Sequence, residues 1–60
     1  MKVKAISERK SIPGQIEKDH EYYIKDIWDF MGDWYGSVYK DPEYQNYIAN
    51  LLLSHFKKIS

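Results

Sequence analysis

Polar and apolar residues alternate from the start of the chain. Lys2 and Lys4 interleave with Val3 and Ala5, the period of two expected of a half-buried strand over residues 1–6. The stretch "SERKSIPGQ" breaks the pattern with Ser, charge and Pro13-Gly14, where proline fixes φ and glycine permits positive φ, so a long loop or loose hairpin follows. "EKDHEYYIKDIWDFM" can be read two ways. As a helix it places Ile16, Tyr23, Ile24, Ile27 and Met31 on one stripe; as a strand it sets Tyr22 and Ile24 against Tyr23 and Lys25. Tyr22, Trp28 and Phe30 fit the stripe poorly, which favours the strand. Gly32-Asp33 punctuates, and "WYGSVY" is dominated by residues that favour a pleated surface.

The segment Lys40 to Ile59 carries the sharpest conflict. Asp41 is a helix N-cap type, Pro42 suits the first helical position, and Glu43 and Lys57-Lys58 complement the two ends of a helix dipole. Tyr44, Tyr47, Ile48, Leu51, Leu52, Phe56 and Ile59 form a helical stripe. The same residues also alternate, with Tyr47, Ala49, Leu51 and Leu53 on one face and Ile48, Asn50 and Leu52 on the other. Two fold classes therefore stand. One is all-β; the other is α-rich, with helices over 17–31 and 43–58.

Composition narrows the function classes. Sixty residues make one domain, 1–60, near the lower size limit for an unaided core, and the absence of cysteine removes disulfides and thiolate zinc as supports. Ten aromatic residues must carry much of the burial, with at least half expected in the core and the rest free to form a surface patch. Nine basic residues balance nine acidic ones, so the electrostatic footprint of a phosphate-binding domain is missing. No apolar run approaches the ~20 residues of a membrane span, and the charged start lacks the apolar core of a signal peptide. A complete, cytoplasmic protein is the expectation.

The order of the signals resembles an SH3-like barrel of five strands. "VKAISER" looks like the first strand, with Ala5-Ile6 at the alanine-leucine of the "ALYDY" motif, and "IEKDHEYYI" is similar to the diverging turn and second strand, with Asp19 where a left-handed residue belongs. "GDWYGSVY" resembles the third strand with its paired aromatics, Trp34 and Tyr35. "LLLSHFKKI" is similar to the SH3 ending "LFPSNYVEEI", which implies that Leu51-Leu52 end the fourth strand, Ser54-His55-Phe56 form a 3₁₀ turn, and Lys57 to Ile59 make the fifth strand. On this resemblance "KDPEYQ" is a turn. Small uncharacterised proteins of Gram-positive bacteria and their phages also look like this chain. The polyproline groove of SH3 domains is not kept: Ser7 and Arg9 stand at its tyrosine positions, Leu53 at its proline and Phe56 at its last tyrosine, leaving only Trp34.

Glu17, Asp19, His20 and Glu21 cluster in sequence, but no second histidine is near, so a solvated turn is the reading preferred to a metal or acid–base site. His55 reads as a turn residue. Phosphate loops, dinucleotide turns and nucleophile elbows are all missing from the sequence, so neither enzyme activity nor a cofactor is expected. Asp26, Asp29, Asp33, Asp41 and Glu43 are expected around one barrel end. The function expected is a noncatalytic protein-binding module that contacts a protein or peptide through Trp34, Tyr35, Tyr22 and Phe56. Its rivals are a single-strand nucleic-acid binder using ring stacking, and a structural homo-oligomer joined through a sheet edge.

Overall fold

The computed structural model describes residues 1–59. Among them the chain is all-β: β1 (Lys2–Ala5), β2 (Glu21–Phe30), β3 (Asp33–Tyr39), β4 (Tyr47–Leu52) and β5 (Phe56–Lys58), with one 3₁₀ turn at Leu53–His55 between the last two. All pairings are antiparallel and the sheet order is β4-β3-β2-β1-β5, which leaves β4 and β5 as edges of an open sheet. The α-rich alternative, with its C-terminal helix over 43–58, is overturned. The 3₁₀ turn and β5 each begin one residue earlier than the resemblance implied.

The helix signals of the β3–β4 connection serve a loop instead. The Asp41 carboxylate accepts from the backbone N–H groups of Gln45 and Asn46 and from Asn46 Nδ2, at 2.8–3.3 Å. These donors lie four and five residues on, beyond the second and third helical residues that an N-cap serves. Tyr44, at φ 57°, then adopts the left-handed conformation that ends any right-handed turn. Partial desolvation pushes the Asp41 carboxyl up, but the bonds from Asn46 and Gln45 outweigh it and hold the pKa below the ordinary value. The folded group is thus more acidic than the unfolded one, so its stabilisation is complete above about pH 4 and is lost as pH falls through the folded value. Asp41→Asn is expected to flatten that acid limb, as read by urea midpoints over a pH series; an unchanged limb contradicts the assignment.

Three left-handed residues shape β2 and its turn. Asp26, at φ 59°, sits in a bulge where two residues of β2, Asp26 and Ile27, oppose Gly36 alone. Met31 and Gly32, at φ 51° and 87°, make a two-residue turn of the mirror-image kind that matches strand twist. Glycine suits this turn; a long unbranched side chain at its first central position does not. Met31 is 87% exposed, so nothing repays the strain by packing. Met31→Asn is expected to raise the unfolding free energy by roughly 1 kcal/mol, seen as a higher urea midpoint at unchanged slope.

The inner face of the sheet encloses one cluster: Val3, Ala5, Ile16, Tyr22, Ile24, Val38 and Leu51 are buried, with Met1, Ile48, Ala49, Leu53 and Phe56 packed against it. Ile16 arrives from the β1–β2 loop, which closes as a loose hairpin through reciprocal backbone bonds between Arg9 and Ile16 at 2.7 and 2.8 Å. Asp19 takes φ 69°, as the resemblance implied. No helix of the described residues is long and apolar enough to cross a membrane.

Candidate functional site

Strand register assigns the side chains of β2, β3 and β4 to two faces. In β3, Gly36 and Val38 turn toward the core, so Tyr35, Ser37 and Tyr39 turn outward. Their cross-strand partners share that outer face. Tyr23 lies opposite Tyr39, Lys25 opposite Ser37 and Trp28 opposite Tyr35 on β2; Tyr47, Asn50 and Leu52 hold the corresponding places on β4. Because β1 sets Lys2 against Tyr23, one row runs Lys2, Tyr23, Tyr39, Tyr47 across four strands.

Two aromatic clusters occupy this face. Near the β2–β3 turn, the rings of Trp28 and Tyr35 lie almost parallel at 14°, with centroids 6.1 Å apart, and Phe30 meets Tyr35 edge-on at 6.5 Å. Near the β3–β4 connection, Tyr39 meets Tyr44 at 5.3 Å and Tyr47 at 5.5 Å, both edge-on. Lys25 Nζ stands over the Tyr39 and Tyr44 rings, 5.6 and 5.2 Å from their centroids, a cation–π geometry. The Met1 ammonium donates to the Tyr44 hydroxyl at 2.9 Å, and the Tyr47 hydroxyl donates to Asn50 at 2.7 Å, so the second cluster is held at its rims. Phe30 and Tyr47 remain 59% and 55% exposed.

The four residues expected to meet a partner do not form one surface. Tyr22 is buried; its ring meets Phe56 edge-on at 6.1 Å, and its hydroxyl accepts from the Glu17 N–H at 3.0 Å. Phe56 is half-buried against the core. Tyr35 lies on the outer face, whereas its neighbour Trp34, 56% exposed, turns to the other side and lines a depression of about 430 Å³ with Leu53 and Ser54. Trp28, Phe30, Tyr39, Tyr44 and Tyr47 were missed as a set. The signal that could have found them is Asp26, a residue tolerant of left-handed backbone set within a β-forming run.

The acidic residues also separate. Asp29 and Asp33 lie at the β2–β3 hairpin tip and Asp26 in the β2 bulge, while Asp41 and Glu43 lie at the other end of β3. At the β1–β5 side Lys4 stands directly opposite Lys57, and Lys2 pairs with Glu21 at 3.1 Å, a bond and charge that hold the Lys2 pKa above its ordinary value.

His20 Nδ1 meets Glu17 at 2.9 Å on the exposed turn before β2, beside an open groove of about 710 Å³ between the β1–β2 loop and the β3–β4 connection. His55 Nδ1 bonds Ser7 Oγ at 3.1 Å, and the His55 carbonyl accepts from the Ile6 N–H at 2.9 Å. Those two bonds tie the β1–β2 loop to the 3₁₀ turn. Among the described residues, no three His, Cys, Asp or Glu side chains come together as metal ligands would. Comparison of the chain with family models, curated proteins and solved structures finds no match.

Proposed function

We propose that this chain is a noncatalytic protein-binding module, an SH3-like barrel whose curled sheet stays unpaired between β4 and β5, and that its partner lies on the outer face of β2, β3 and β4. One observation carries the reading: most of the chain's aromatic side chains stand on that face, while the buried core uses Tyr22 alone of the ten. Rings there are already fixed by edge contacts, the Lys25 ammonium and hydroxyl bonds, so little rotamer entropy remains to be lost on association. Trp and Tyr so placed are the residue types on which binding energy concentrates.

Capture tests it. The chain immobilised at its C-terminus should retain a protein from its native host that a folded Trp28→Ser/Tyr35→Ser variant does not retain; equal retention by both overturns the site. The lysine and tyrosine row favours a second reading, base stacking by a single-stranded nucleic acid. The hairpin tip opposes it, because a phosphate backbone following the aromatic tract would run into Asp33 beside Phe30. A fluorescent oligo-dT strand bound at low salt and released by added salt would favour it over the protein partner.

A further inference from the structure

We infer that the partner of the outer face is a second copy of this chain, docked face to face in antiparallel orientation about a two-fold axis through the aromatic tract. This rests on the proposed protein-binding face and adds who occupies it. The face is electrically graded. At the hairpin tip Asp33 stands on this face opposite Phe30, Asp26 sits in the bulge behind it, and residues 26–34 hold no lysine or arginine. The opposite end, where β1 meets β5 and the start of β2, holds Lys2, Lys4 and Lys57 with Glu21 as its one carboxylate on the strands.

Between the two ends β2 runs for ten residues, ~30 Å of strand, with the aromatic clusters along it. A surface that is basic at one end, aromatic in the middle and acidic at the other complements itself when turned through a half rotation. That is the requirement of an isologous dimer, in which each contact occurs twice. The charge sum of zero leaves no long-range repulsion between copies.

Two features point the same way. Lys4 and Lys57 are directly opposed on neighbouring strands, and Glu21, the carboxylate across from Lys4 on its other side, is engaged by Lys2 at 3.1 Å, so three lysines share one carboxylate and further carboxylates brought by a partner would relieve them. The core is also small, seven buried hydrophobic residues among those described, and covering an aromatic face is one of the few supports open to a chain without disulfides.

The test is sedimentation equilibrium on the full chain over a concentration series at low and high salt, with two reversed variants. Lys4→Glu/Lys57→Glu makes both ends acidic; Asp33→Lys reverses the tip of the outer face and makes both ends basic. All three positions are exposed, and circular dichroism checks the fold. The native chain is expected to rise from 7.2 kDa toward twice that mass as concentration increases, less so in high salt. Each variant alone should self-associate at least about tenfold more weakly, and an equimolar mixture of the two should recover the association.

A native chain that stays monomeric to about 1 mM, or variants that associate as the native chain does, overturns the inference. If the native chain is monomeric yet captures a host protein through Trp28 and Tyr35, the second copy fails as partner and the protein-binding face stands. A dimer indifferent to Trp28→Ser/Tyr35→Ser contradicts the face itself.

Discussion

Replacing Ile24 by alanine is expected to lower the unfolding free energy by about 2–5 kcal/mol. Ile24 is 1% exposed and stands opposite Val38, itself fully buried, at the place where β1, β2 and β3 meet. Its N–H donates to the Met1 carbonyl, so the same residue fixes the chain's start against β2. Its Cγ2 lies 2.5 Å from where a side-chain carbon on Gly36 would begin, which explains a glycine in the middle of β3: the isoleucine already occupies that space. A 60-residue domain has roughly 3–9 kcal/mol to lose, so the variant should be partly unfolded at 25 °C. Ile27, one of the two bulge residues and 45% exposed, is the control; its alanine variant should lose less than about 1 kcal/mol. Urea unfolding of both separates the two sites, and equal losses would contradict the inward placement of Ile24.

The second large effect concerns association. Trp28→Ala should weaken partner binding by 30-fold or more, about 2 kcal/mol, while leaving the fold intact, because Trp28 stacks on Tyr35 outside the core. Trp34→Ala, one strand position from Tyr35 but turned to the other face, should change binding by less than about threefold. The pair matters more than either variant. A loss at Trp34 with none at Trp28 would move the site to the depression lined by Leu53 and Ser54.

The succession of five strands along the chain and the left-handed Asp19 were legible through the resemblance; the residues alone left a helical alternative standing. The faces of β2 were not legible. Before the bulge, even-numbered residues such as Tyr22 and Ile24 point inward; after it, Trp28 and Phe30 point outward, because one extra residue resets the alternation. A strict period of two therefore misassigns half the strand, and this is also why a helical stripe could be drawn through Ile24, Ile27 and Met31. The bulge is encoded by one aspartate that looks like any other surface charge.

The segment that most resembled a helix became a loop, an edge strand and a 3₁₀ turn. Its cap residue did cap, but Asp41 reached Gln45 and Asn46 across a loop closed by a left-handed Tyr44, and Tyr39 collected the Tyr44 and Tyr47 rings. Local signals named the right groups and misjudged where their bonds would go. Tyr22 was misplaced for a related reason. A tyrosine whose hydroxyl finds a backbone donor can be buried whole, and only the fold reveals that Glu17 supplies the donor.

The two tryptophans stand on opposite faces and so provide the most direct test that association uses the outer one. Trp34→Phe leaves Trp28 as the sole indole, and Trp28→Phe leaves Trp34. As the protein is concentrated, or titrated with a captured partner, Trp28 emission should shift to shorter wavelength and become less accessible to acrylamide, while Trp34 emission stays where it was. A shift at Trp34 with Trp28 unchanged would contradict the account.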